Sequence, residues 1–127
     1  MKTIILAFLL VATGCRTPTP VYNVDSTRIQ SSSIKPNPTL DDVGKAIQLA
    51  GTQLDWLMEP IKPGHIVGTL QVRTHVAVVD IHYNTTAYSI HYKSSSNLDY
   101  DGESIHPNYN GWVKRLNSAI HAEMLKL

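Results

Sequence analysis

The sequence predicts an α+β domain: a helix, an antiparallel meander of about four strands, then a second helix, with both helices packed on one sheet face. Three observations predict it. Apolar residues recur at spacings of three and four in two separate stretches, one after Thr39 and one after Pro107. Between those stretches apolar and polar residues alternate, and strong turn signals interrupt the alternation. One choice of strand register also brings all the apolar sets to a single face.

The first helix starts at Thr39, where Asp42 three residues on makes a capping box with Asp in the usual Glu or Gln place. Leu40, Val43, Ile47, Ala50 and Leu54 then share one face. Gly51 should weaken the C-terminal end, and the helix should stop before Trp56. Trp56 to Ile61 reads as a short strand that Pro60, lacking an N–H, confines to a sheet edge. Lys62-Pro63-Gly64-His65 is a turn, and Ile66 to Val72 is the next strand. A tight reversal at Arg73-Thr74 pairs Val72 with His75, Leu70 with Ala77 and Ile66 with Ile81. His75 to Tyr83 is the third strand, Asn84 to Ala87 a hairpin loop, and Tyr88 to Lys93 the fourth strand. Pairing Tyr83 with Tyr88 sets Ile81 opposite Ile90, Val79 opposite Tyr92 and Asp80 opposite His91. The expected inner face is Ala77, Val79, Ile81, Tyr83, Tyr88, Ile90 and Tyr92. Residues 94–105 read as a polar connection. Pro107 suits the first position of a helix whose apolar stripe is Tyr109, Trp112, Val113, Leu116, Ile120 and Met124.

The chain divides into three parts. Residues 1–14 have a positive start at Lys2, an apolar run from Ile4 to Ala12 and the small residues Thr13-Gly14, the pattern of a secretory signal peptide. The run is about half of the roughly 20 residues that span a bilayer, so a retained membrane helix is not expected. Residues 15–38 hold the only cysteine, Cys15, and a stretch rich in proline, serine and threonine. That composition reads as a flexible tether, with Val21, Tyr22 and Ile29 as apolar exceptions that can dock. A leash of about 23 residues would let the folded part stand several nanometres off a membrane. Residues 39–127 are a single small domain, large enough for one core and modest in stability.

Val11-Ala12-Thr13-Gly14-Cys15 resembles the bacterial lipobox, in which the cysteine is acylated, with chains such as palmitate, and becomes the first residue of the mature protein. Ala12 is a tolerated rather than favoured residue at its position. The plainer alternative is an ordinary signal peptide that leaves a free thiol; the flanking residues favour the lipobox. A lone cysteine excludes an internal disulfide framework. Arg16 follows it, and the resemblance to Gram-negative sorting rules then implies an outer-membrane, periplasm-facing lipoprotein. Loss of residues 1–14 removes one charge, Lys2, leaving ten basic and ten acidic side chains. A neutral chain has no general electrostatic reason to seek nucleic acid, and no nucleic-acid partner is expected.

The run from Gly64 to Leu116 resembles a family of small, functionally uncharacterised proteobacterial lipoproteins. The segments that carry the resemblance are Thr69-Leu70 with Arg73 and His75 to Val79, Tyr88-Ser89-Ile90-His91-Tyr92, Ser96-Asn97-Leu98-Asp99-Tyr100, and Ile105-His106 with Tyr109-Asn110-Gly111-Trp112. It implies an envelope lipoprotein and supplies no catalytic residues.

Candidate sites are few. Arg73, His75, His106 and Asn110 lie in those segments and, if they converge, make a polar site for a carboxylate or phosphate. Their plainer roles are a turn for Arg73 and a helix cap for His106. On the outer sheet face Asp80 faces His91 with His82 beside it, a spacing at which three ligands can share a metal ion; a solvated ion pair is the weightier reading. Asn97-x-Asp99-x-Asp101-Gly102 copies the first half of an EF-hand loop, but the position of the bidentate acid holds Asn108, so turn residues are favoured over a calcium site. No Gly-x-Ser-x-Gly elbow surrounds the serines, and Asn84-Thr85-Thr86 reads as a hairpin loop rather than a glycosylation site.

The sequence therefore points to a non-enzymatic, membrane-anchored binding or structural module with no cofactor. Its partners would be the bilayer, through Cys15, and an envelope protein or glycan. An exposed edge at Trp56–Ile61 or Tyr88–Lys93 would suit strand addition. The alternative is a small periplasm-facing enzyme or metal-binding protein built on the His, Arg and Asp residues above.

Overall fold

The structure is a computed structural model that describes residues 17–32 and 37–127. The expected signal peptide, and Cys15, Arg16 and residues 33–36 of the expected tether, lie outside the described residues. The elements are β1 (Thr19–Pro20), β2 (Val24–Arg28), α1 (Leu40–Gln53), β3 (Leu57–Lys62), β4 (His65–Val72), β5 (His75–Tyr83), β6 (Ala87–Ser96), β7 (Ser104–Ile105) and α2 (Pro107–Met124). Five strands make one antiparallel sheet in the order β2-β6-β5-β4-β3, and β1 and β7 form a separate two-stranded pair. The fold is α+β, and no helix among the described residues is long and apolar enough to cross a membrane.

α1 begins as its capping box requires. The Asp42 N–H donates to Thr39 Oγ1 at 3.1 Å, and the Thr39 N–H donates to Asp42 Oδ2 at 2.8 Å. The helix ends where Leu54 and Trp56 both donate backbone N–H to the Gly51 carbonyl. Gly51 has a packing reason as well. A Cβ there would sit 2.3 Å from Met58 Sδ, so glycine lets β3 press against the helix. Trp56 precedes the strand instead of opening it and is buried in the core.

The meander keeps the expected register. Val72 pairs with His75, Leu70 with Ala77, Ile66 with Ile81, Ile81 with Ile90, Asp80 with His91 and Tyr83 with Tyr88. Gly64 turns the β3–β4 hairpin at φ 87°, and Arg73 turns the β4–β5 hairpin at φ 54°. Ala77, Val79, Ile81, Tyr88 and Ile90 are buried, whereas Tyr83 and Tyr92 are partly buried at the rim. α1 packs over β3 and β4 and against α2. α2 lies over the other half of the sheet, where Tyr109 meets the Tyr92 ring edge-on and Asn117 accepts from the Tyr88 hydroxyl. Val113, Leu116, Ile120 and Met124 are fully buried between the layers.

Three differences follow from backbone pairing. Residues 94–96, expected in a loop, extend β6, because an irregularity after Val78 lets Ser94, Ser95 and Ser96 pair with Val78, Ala77 and Val76. Residues 19–20 and 24–28, assigned to the flexible tether by composition, form β1 and β2. β2 covers β6, pairing Val24 with Ile90 and Thr27 with Tyr88, so the expected free edge at Tyr88–Lys93 is an interior strand. Five polar-rich residues suffice there because β6 offers unpaired backbone groups and Val24 drops into the core. The free edges are β2 and β3, and β3 carries Pro60 at an irregular step, which blunts it.

Candidate functional site

Two groups of titratable residues stand apart from the core. The first gathers at the end of the domain where the β4–β5 hairpin meets the start of α2. His75 opens β5, and its Nδ1 lies against the Asn97 carbonyl. Its ring is 6.1 Å from that of His106 and 6.4 Å from the Trp112 indole. Asn97, in the left-handed region at φ 57°, ties the same loop to the hairpin by donating to Thr74 Oγ1 at 2.6 Å. His106 is the N-cap of α2: its Nδ1 accepts the Asn108 N–H at 3.1 Å. Arg73 is exposed on the hairpin turn beside His75.

Of the four residues expected to converge, the structure thus brings His75 and His106 together, while Arg73 lies on the exposed turn two residues before His75. Asn110 is committed elsewhere. Its Oδ1 accepts the Tyr22 N–H at 2.9 Å, and its Nδ2 donates to Thr19 Oγ1 at 3.0 Å and to the Pro20 carbonyl at 2.9 Å. It is a clamp that holds the β1 segment on the helix rather than an open ligand-binding group. The half EF-hand is a self-contained turn: Asp101 Oδ1 accepts from the Glu103 and Ser104 N–H groups at 2.9 and 2.7 Å, and those bonds hold its carboxyl below the ordinary range.

The second group lies on the open sheet face. Asp80 and His91 are neighbours in register, but their side chains take other partners. Asp80 Oδ1 meets His65 Nε2 at 2.7 Å, and Oδ2 lies 3.6 Å from Lys93 Nζ. His91 Nε2 meets Asp25 of β2 at 3.1 Å. His82 stacks on His65, with centroids 4.3 Å apart and planes 15° from parallel. Among the described residues no three histidine, cysteine or acidic side chains are grouped to hold a metal ion. The expected Asp80, His82 and His91 triad is therefore not assembled: Asp80 bonds His65, on whose ring His82 stacks, and His91 turns to the carboxylate that β2 brings beside it. Burial alone would raise the Asp80 pKa; the His65 hydrogen bond, with the charges of Lys93, His65 and His82, outweighs it and holds the carboxyl below its ordinary value.

His65 and Asp25 were missed in the sequence for different reasons. Placing Ile66 opposite Ile81 already sets His65 opposite His82, so the signal for His65 was present but hidden by its reading as a turn residue. Asp25 gave no signal, because nothing in its surroundings marks a strand.

A groove of about 580 Å³ runs between α1 and the β3 edge, lined by Leu40, Gly44, Pro60, Ile61 and Tyr83 and by the Lys45–Asp41 ion pair, 2.8 Å between Nζ and Oδ2. Ile61 and Leu57 are more than half exposed on β3. Compared with family models, curated proteins and solved structures, the chain gives no significant match.

Proposed function

We propose that this chain is an outer-membrane lipoprotein of a Gram-negative envelope, with a folded part that binds or braces rather than catalyses. The observation that carries the reading is Cys15 directly after the apolar run and the lipobox-like Val11-Ala12-Thr13-Gly14. Each buried methylene contributes about 0.8 kcal/mol and a single acyl chain holds only marginally, so two or three chains on one residue make attachment durable. The resemblance to small proteobacterial lipoproteins supports the same location. The groove beside β3, with apolar walls and a Lys45–Asp41 ion pair among its lining, is a candidate surface for an envelope protein or glycan. Fractionation of cells expressing Cys15→Ser tests the anchor. The variant should leave the membrane fraction, and a variant that stays there contradicts the reading.

The alternative, a small envelope enzyme or metal-binding protein, draws on the short His65–Asp80 contact with His82 stacked on it. Titration with zinc and copper separates the two: a stoichiometric site abolished by His82→Ala favours the alternative, and absence of heat favours the binding module.

A further inference from the structure

We infer that the domain is seated on the phospholipid bilayer, with the end that carries Arg73, His75 and His106 against the headgroups. The inference rests on the acyl anchor proposed above and adds to it an orientation and a contact surface. A leash reaching from Cys15 to about residue 38 would leave the domain free to tumble. The structure shortens that leash to a few residues, because the chain is already fixed at Thr19. Thr19 pairs with Ile105, the Val21 N–H donates to the Glu103 carbonyl at 3.0 Å, and Asn110 holds Thr19, Pro20 and Tyr22 through three hydrogen bonds. Covalent geometry then places the Cα of Cys15 within about 14 Å of that of Thr19 and within about 7 Å of Thr17, the first described residue. The headgroup layer on each side of a bilayer is itself about 5–7 Å deep, so an acylated Cys15 brings this end of the domain to the lipid surface.

The direction of the leash selects which residues arrive there. β1 is antiparallel to β7, with Thr19 opposite Ile105 and Pro20 opposite Ser104, so the chain read backwards from Thr19 heads toward His106 and the start of α2. His106 neighbours His75, which neighbours Trp112, and Arg73 is two residues from His75 on an exposed hairpin turn. An arginine, two imidazoles and a half-buried indole fit the headgroup zone, where amphipathic rings and cationic side chains settle. Glu103, whose carbonyl accepts the Val21 N–H, lies at the other end of β1, and Asp99 directly follows Leu98, whose carbonyl accepts the His106 N–H, so acidic groups offset the basic charge. The seat is therefore set by tether length rather than by attraction to anionic lipid, and it persists at high salt. The opposite end, at the Asn84–Thr86 hairpin, lies about 26 Å away along β5 at 3.3 Å per residue.

The test uses the acylated, full-length mature protein in phosphatidylethanolamine–phosphatidylglycerol vesicles that contain a headgroup-linked nitroxide quencher. A fluorophore is placed at Arg73→Cys or at Thr85→Cys. Quenching should be several-fold stronger at position 73 than at 85. Inserting about ten Gly-Ser residues between Arg16 and Thr17 should erase the difference while the protein still floats with the vesicles. Equal quenching at both positions with native spacing, in protein whose mass shows acylation, overturns the seating and leaves the anchor standing. A Cys15 that carries no acyl chain overturns the anchor and the seating together.

Discussion

The β4–β6 meander and the N-terminal segment that supplies β1 and β2 belong to the same fold but are held by different forces. In the meander, Ile66, Ala77, Val79, Ile81 and Ile90 are fully buried, and each strand sits between two others or under a helix. Its stability comes from apolar area removed from water. Across residues 17–32 one side chain, Val24, is fully inside, and Val21, Tyr22 and Ile29 are half-buried. What holds that segment is its backbone: the β2–β6 pairing, the Ile29 N–H bond to the Thr86 carbonyl at 2.8 Å and the Asn110 clamp. A region rich in polar residues can therefore be ordered when a neighbouring strand and one well-placed amide complete its hydrogen bonds.

The contrast is sharpest in how each region should fail. Ile81→Ala removes a fully buried side chain at the centre of the sheet and should cost about 2–5 kcal/mol, lowering the midpoint of the whole unfolding transition. Asn110→Ala should cost less, about 1–3 kcal/mol, because it leaves three partners on the β1 segment unsatisfied. Its effect should also be local: protease cleavage near Thr19–Asn23 should accelerate while the meander stays protected. If cleavage rates at that segment do not change, the clamp is not what holds it.

Thr39→Ala removes the N-cap of α1 and should cost about 1 kcal/mol in denaturant unfolding, without changing protease sensitivity at Thr19. The smallest effect belongs to Asp80. Its folded-state pKa is below the ordinary one, so the stability it adds is present above the ordinary carboxylate range and fades as pH falls through the folded value. Asp80→Asn should flatten that acid limb by no more than about 1 kcal/mol, the scale of a partly exposed pair. An unchanged acid profile would mean that the His65 contact contributes nothing to folding.

The meander was legible because alternation fixes register, and register fixes which side chains meet. Placing Leu70 opposite Ala77 and Ile81 opposite Ile90 needed nothing beyond the period of two and two turn signals. The Val24–Arg28 strand was not legible, since a sequence with one inward residue has no period to detect. The extension of β6 through Ser94–Ser96 was hidden for the same reason: the backbone of β5 recruits it whatever its side chains. At the candidate site, the sequence named His75 and His106 without fixing whether they meet, and it treated Asn110 as a ligand group when its amide is spent on the β1 segment. The His65–Asp80–His82 group was implied by the register and overlooked because His65 borders a turn.

That residues 19–28 are folded onto the domain is best tested by amide hydrogen exchange at Val21 and Tyr22. Both N–H groups are bonded, to the Glu103 carbonyl and the Asn110 side chain, so both should exchange far more slowly than an unstructured peptide. Exchange at the free-peptide rate would show that the tether extends past β1 and would contradict the account.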